Sequence, residues 1–111
     1  DKLAEKEYLS AKMYYNLGTY LGNNYLSAEI VAKNALKDYP YTSMREEISI
    51  LVLRAKYRLG TESVEEKKEE RMREAIDEYY AFKNEFPESK YIKEVESIYK
   101  DASKYVKELN D

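Results

Sequence analysis

The sequence predicts an all-α protein, an array of about five antiparallel helices, one of them lengthened and highly charged. Three observations carry that expectation. Helix breakers are scarce, with three Gly and two Pro among 111 residues rich in Glu, Lys, Ala and Tyr, and Ala, Glu and Lys lose little on entering a helix. Apolar residues recur at three- and four-residue spacing in five segments separated by Gly, Asn or Pro. Finally, the sequence matches itself when shifted by 47 residues, as stacked helix pairs do. A chain of this length supports one domain, residues 1–111, with a modest core.

The first helix is expected over about residues 2–17, burying Leu3, Ala11, Tyr14, Tyr15 and Leu17 and leaving Leu9 and Met13 off that face. Gly18, Gly22, Asn23 and Asn24 end it, since Gly and Asn accept positive φ. The second covers about 25–38 through Ala28, Val31, Ala32, Ala35 and Leu36. It stops before Pro40, which cannot donate to the helical ladder and pushes Tyr39 out of the α region.

The third helix is placed at 43–59, with Ser43 as N-cap and Glu46 completing a capping box. Ile48, Leu51, Val52, Ala55 and Leu59 form one apolar face, and Ile50, Leu53 and Tyr57 another. Apolar on two sides, it belongs at the centre of the array, and Gly60 is expected to close it.

The fourth helix, 64–85, repeats the capping-box spacing at Ser63 and Glu66 and sets Glu62, Glu65 and Glu66 at its positive dipole end. From Glu65 to Glu74 it is nearly all charge, so that part reads as a solvated extension. Beyond it runs the stripe Met72, Ala75, Ile76, Tyr79, Phe82 and Phe86, ended by Pro87. The fifth helix, 89–109, carries Tyr91, Val95, Ile98, Ala102, Tyr105 and Leu109 on its dry face. Lys93, Glu96, Lys100, Lys104 and Lys107 form the wet face, with Glu96 and Lys100 spaced for an i,i+4 pair.

Composition narrows the chemistry. Without Cys or His there is no thiolate nucleophile, disulfide, zinc finger or imidazole base. Carboxylate pairs such as Glu46-Glu47, Glu65-Glu66 and Glu69-Glu70 sit among Lys and Arg on helix surfaces, whereas carboxylate catalysis needs two such groups across a pocket. No catalytic residue, metal ligand or cofactor is expected, and the protein reads as a non-enzyme. A net charge of −3, from 19 basic and 22 acidic residues, disfavours a nucleic-acid partner. No apolar run is long enough to span a bilayer. Opening on Asp1 rather than Met, with no signal peptide, the chain reads as a fragment or processed product.

Thirteen tyrosines stand out. Tyr15, Tyr79, Tyr91 and Tyr105 fall on core stripes, while Tyr41, Tyr80 and Tyr99 are surface candidates. Arg45, Arg54 and Arg58 flank the third helix between its apolar faces. With Tyr41 they are the candidate partner-binding residues, since Arg and Tyr are enriched at interfaces.

The 47-residue shift aligns Ala28 with Ala75, Tyr39 with Phe86, Pro40 with Pro87, Thr42 with Ser89, Ile48 with Val95, Leu51 with Ile98 and Ala55 with Ala102. Each unit is helix, aromatic-Pro turn, helix. The unit resembles the second helix and terminal proline of the tetratricopeptide repeat, with the 13 extra residues supplied between Gly60 and Met72. Ile48 and Val95 stand where the next repeat has a small Gly.

A closer resemblance lies in Tyr14-Tyr15-Asn16-Leu17-Gly18-Thr19-Tyr20, Leu36-Lys37-Asp38-Tyr39-Pro40-Tyr41-Thr42, Arg45-Glu46-Glu47 and Ala55-Lys56-Tyr57-Arg58-Leu59. Ala75-Ile76-Asp77-Glu78-Tyr79-Tyr80-Ala81-Phe82 and Glu85-Phe86-Pro87-Glu88-Ser89-Lys90-Tyr91 extend it. Over about residues 11–108 the chain resembles the C-terminal repeats of the BamD family, tetratricopeptide lipoproteins of the outer-membrane β-barrel assembly machinery. Gly22-Asn23-Asn24 lengthens the first turn beyond that pattern, and the family's lipidated Cys is not among these residues. The resemblance implies a periplasmic scaffold at the outer membrane, reaching the membrane only through a lipid anchor outside these residues. Its implied partners are the periplasmic domains of a BamA-like barrel subunit and other assembly lipoproteins, and its implied task is to help fold and insert outer-membrane proteins. The alternative is a generic tetratricopeptide adaptor that binds extended peptides.

Overall fold

The computed structural model describes residues 1–107, which form five helices and no strand. The protein is all-α, with neighbouring helices packed on each other. The chain falls into two compact units, Asp1–Ala55 and Lys56–Asp111. Among the described residues no helix is long and apolar enough to cross a membrane.

The first unit holds α1 (Lys2–Leu17), α2 (Asn24–Asp38) and the larger part of α3 (Arg45–Thr61). Its core joins Ala11, Ala32, Ala35, Ile48, Leu51 and Val52, flanked by Tyr8, Tyr15, Val31, Leu36 and Met44. The packed face of α1 is the expected one at Ala11 and Tyr15 but not at Leu3 and Leu17. Ala4 and Ala11 are buried with Tyr8 and Tyr15 beside them, whereas Leu3 and Leu17 are exposed, as are Leu9 and Met13. Ala4, Tyr8, Ala11 and Tyr15 follow i, i+4, i+7, i+11, and Leu3 and Leu17 lie more than ~100° around the axis from that stripe. Small residues on both α1 and α2 let their backbones approach closely, which larger Leu side chains would prevent.

The second unit holds the last residues of α3, α4 (Glu65–Glu85) and α5 (Ile92–Ser103). Met72, Ile76, Ala102 and Val106 form its core cluster, with Tyr57 and Tyr99 against it. Gly60 does not close α3, which runs on to Thr61. It is buried, and a Cβ there would sit 2.8 Å from Met72 Sδ. The hydrogen side chain makes room for Met72, a close-approach role. The first turns of α4 stay wet, with Glu65, Glu66, Lys67 and Glu70 exposed.

Two capping boxes do not form. Ser43 lies before α3 and donates its backbone N–H at 3.2 Å, and also its hydroxyl, to the Asp1 carboxylate. Ser63 donates its hydroxyl to the Leu59 carbonyl, leaving Val64 as an α4 N-cap without a side-chain bond. In each case the helix starts two residues beyond the serine, at Arg45 and Glu65, so its hydroxyl is not at the cap position and donates to a local acceptor instead.

The repeat is real at the level of the backbone. Tyr39 N–H donates to Ala35 O at 2.9 Å, and Phe86 N–H to Phe82 O at 2.8 Å. Both aromatic residues adopt nearly one conformation, φ −130° and ψ 63° against φ −125° and ψ 63°. Thr42 N–H and Ser89 N–H close the next turn onto Tyr39 O and Phe86 O, each at 3.1 Å. The Thr42 hydroxyl oxygen accepts from Met44 N–H at 3.1 Å and the Ser89 oxygen from Tyr91 N–H at 3.0 Å, starting α3 and α5 alike.

The last helix is shorter than expected. After Ser103 the ladder tightens to three-residue bonds, Lys104 N–H to Asp101 O, Tyr105 N–H to Ala102 O and Val106 N–H to Ser103 O. That change of register swings Tyr105 out to solvent and seats Val106, not Tyr105, fully in the core. Leu109 lies outside the described residues.

Candidate functional site

The four expected partner-binding residues do not converge. Tyr41, in the turn after Pro40, is 98% exposed. Arg45 folds back on that turn, its Nη1 donating to Pro40 O at 3.2 Å, and so helps hold it closed. Arg54 lies nine residues further along α3, about 180° around the axis and about 13 Å along it. Arg54 and Arg58 share one side of the helix, and Arg58 pairs with Glu62 at 3.5 Å. All three arginines have partners within the protein. Tyr41 and Arg45 therefore belong to a turn, and Arg54 and Arg58 to a helix flank.

The structure instead concentrates polar and aromatic groups between α4 and α5. Both Glu96 carboxylate oxygens lie 3.0 Å from the Tyr79 hydroxyl, which donates to them. Lys83 Nζ reaches Glu96 at 2.8 Å and donates to the Tyr79 oxygen at 3.3 Å. The Tyr79 ring stacks on Tyr99 with centroids 4.5 Å apart and an interplanar angle of 20°. Tyr80 donates its hydroxyl proton to Tyr99 at 3.3 Å and meets both rings edge-on.

The charges follow from these contacts. The Lys83 hydrogen bond holds the Glu96 carboxyl below its ordinary range, and Glu96 in turn raises Lys83. Burial, followed by the Glu96 carboxylate, pushes the Tyr79 phenol up. The cluster therefore holds a fixed ion pair around a proton-retaining phenol. That arrangement orients and clamps two helices, and its carboxylate is ionised, hydrogen-bonded and unsuited to act as a general acid.

Two further bonds draw the end of α3 onto the same pair. Lys56 meets Glu78 of α4 at 3.0 Å. Tyr57 donates to the Asp101 carboxylate of α5, and burial together with that carboxylate pushes its phenol up to about 12. A shallow pocket of about 230 Å³ lies alongside, lined by Arg73, Ile76, Asp77, Tyr80 and Val106. Its cation already pairs with Glu69 at 3.3 Å. Among the described residues no three acidic side chains are grouped to hold a metal ion.

No family model and no curated protein matches the chain.

The α4–α5 cluster is not among the sequence expectations, which place Glu96 on the wet face of the last helix in an i,i+4 pair with Lys100. The signal was present in the repeat. Under the 47-residue shift Ala32, Leu36, Ser49 and Val52 become Tyr79, Lys83, Glu96 and Tyr99. Four positions that meet in space change from small or apolar to polar or aromatic together.

Proposed function

We propose that this chain is a non-catalytic protein–protein scaffold of the BamD kind, serving outer-membrane β-barrel assembly from the periplasmic face of the outer membrane. Its partner is the periplasmic region of a BamA-like barrel subunit, with other assembly lipoproteins beside it. The observation that carries the proposal is the duplicated aromatic-Pro turn, Tyr39-Pro40 and Phe86-Pro87, with the same hydrogen bonds 47 residues apart. Repeated helix pairs present extended side-chain surfaces, and that architecture suits binding. The residue strings around both turns add the family resemblance.

Arg54 and Arg58 on α3 are the proposed contact, with Tyr41 on the turn; Arg45 serves the turn itself. Calorimetry against the periplasmic domains of a BamA-like subunit tests this. Arg54→Glu with Arg58→Glu should weaken binding at least tenfold at unchanged helicity, while reversing Lys93, Lys100 and Lys104 on α5 should change little. Equal losses from both sets would reduce the contact to general charge attraction. No binding by the parent chain would overturn the assignment.

A further inference from the structure

The longest uncharged stretch of the sequence runs from Met13 to Ala28, sixteen residues in a chain that is 37% charged. It spans the end of α1, the following turn and the start of α2. Here Leu17, Tyr20, Leu21 and Leu26 are all exposed, Tyr20 at 66% and Leu21 at 89%.

Leu21 is held at φ +58°, a left-handed conformation that a Leu adopts only at a steric cost. Gly22 and the two Asn that follow would take such an angle more readily. Leu21 is 89% exposed, so no burial in the core offsets that steric cost.

The turn is also internally tied. Asn24 donates its side-chain N–H to Tyr20 O at 2.7 Å and its backbone N–H to Gly18 O at 2.9 Å. Asn23 Oδ1 accepts from Leu26 N–H at 3.2 Å, and Tyr20 N–H donates to Leu17 O at 3.0 Å. Gly18 keeps the turn tight, since a Cβ there would lie 2.9 Å from the Tyr25 hydroxyl. Asn24 Nδ2 and Asn23 Oδ1 are thus bonded within the turn, and the tip presents Leu21 and Tyr20, beside Thr19 and Asn23, on a tied backbone.

A protein partner is selected by directional hydrogen bonds and charges around an apolar centre, and this tip has no charge to offer. A lipid interface makes no such demand. It accepts Leu in its apolar zone and Tyr at the headgroup level, and backbone groups bonded internally lower the cost of leaving water. We propose that the α1–α2 turn is a membrane-contact tip that seats Leu21, with Tyr20 and Leu17, in the headgroup region of a phospholipid bilayer. It is independent of the scaffold proposal.

The chain has no Trp, so Tyr20→Trp provides a single reporter. Titration with phosphatidylcholine vesicles should shift its emission to the blue, with little loss at high salt. Adding Leu21→Asn should weaken vesicle binding at least fivefold while leaving the melting temperature unchanged or raised, because Asn tolerates positive φ. Flotation of the parent chain with the same vesicles should give the same ranking. No vesicle binding, or equal binding after Leu21→Asn, would overturn the proposal. So would binding confined to phosphatidylglycerol-containing vesicles and lost in salt, which would assign it to lysines. A blue shift on concentrating the protein without vesicles would assign the tip to a second copy and equally sink it.

Discussion

Ala32, Leu36, Ser49 and Val52 in the first unit and Tyr79, Lys83, Glu96 and Tyr99 in the second hold the same repeat positions, yet they do opposite things. In the first unit they help make a dry interface in which Ala32 and Val52 are core residues and Leu36 packs on them. In the second they form a hydrogen-bonded, ion-paired, stacked cluster. The turns between the helices are nearly superimposable in hydrogen bonding. Backbone geometry in this repeat is therefore set by the turn, the aromatic residue, Pro and Thr or Ser, and is indifferent to what fills the helix interface. Between α2 and α3 the repeat positions are filled by small and aliphatic side chains; between α4 and α5 large aromatic residues with polar tips fill them and clamp the pair.

The sharpest way to break this comparison is to make the second interface resemble the first. Tyr79 is 3% exposed, and its ring stacks on Tyr99 while its hydroxyl satisfies Glu96 and Lys83. Tyr79→Ala should cost about 3–5 kcal/mol, as truncating a buried aromatic residue does. Tyr79→Phe keeps the ring and should cost only about 1 kcal/mol for the lost hydrogen bond. Urea denaturation of the pair separates the two contributions, and equal losses would mean that the hydroxyl network, not the ring, holds the helices.

The reverse exchange overfills the first unit. Ala32 and Ala35 are buried between α1, α2 and α3, so Ala32→Leu should cost about 1–3 kcal/mol through overpacking. Unchanged denaturant midpoints would show that α1 can move away from α2 at no cost, and that close approach is not what the alanines provide.

Next in size is the turn itself. Thr42→Val removes an acceptor at near-constant shape and Ser89→Ala does so at the equivalent site, each freeing the N–H of Met44 or Tyr91. Both should cost about 1 kcal/mol. Losses differing severalfold would show that the interface, not the turn, decides the cap's worth.

The sequence made some of this legible. Five helices followed from periodicity and breakers, and the paired turns from Pro40 and Pro87, because Pro acts locally and irreversibly on the backbone. The face of α1 was legible only in part: Ala11 and Tyr15 pack as expected, but Leu3 and Leu17 stay exposed because packing between close helices favours the small residue. Ser43 and Ser63 matched a cap motif, but their bonds go to Asp1 and to the Leu59 carbonyl, partners that no spacing rule specifies. The candidate arginines had the right chemistry in one helix but not one face. Glu96 looked like a surface residue because its partners, Lys83 and Tyr79, lie on another helix. Only the repeat comparison links them.

The smallest effects expected are those of pH, and they mark the second unit at both ends of the scale. Glu96 has a lowered pKa caused first by the Lys83 hydrogen bond, so the folded state binds its proton less tightly than the unfolded chain. Its contribution is therefore present above the ordinary carboxylate range and is lost as pH falls below about 4.3. Tyr57 has the opposite sign. Its phenol is raised to about 12 by burial and by Asp101, against about 10 when unfolded. That contribution is complete below about pH 10 and disappears as pH rises towards 12. Glu96→Gln should lessen the acid limb of stability against pH, and Tyr57→Phe should lessen the alkaline limb while leaving the acid limb in place. Hydrogen exchange locates the loss. Amides of α5, which carries both Glu96 and the Asp101 partner of Tyr57, should lose protection at both extremes before those of α2. Simultaneous loss in both helices would mean that the two units unfold as one, and that their different interfaces do not divide the chain's stability.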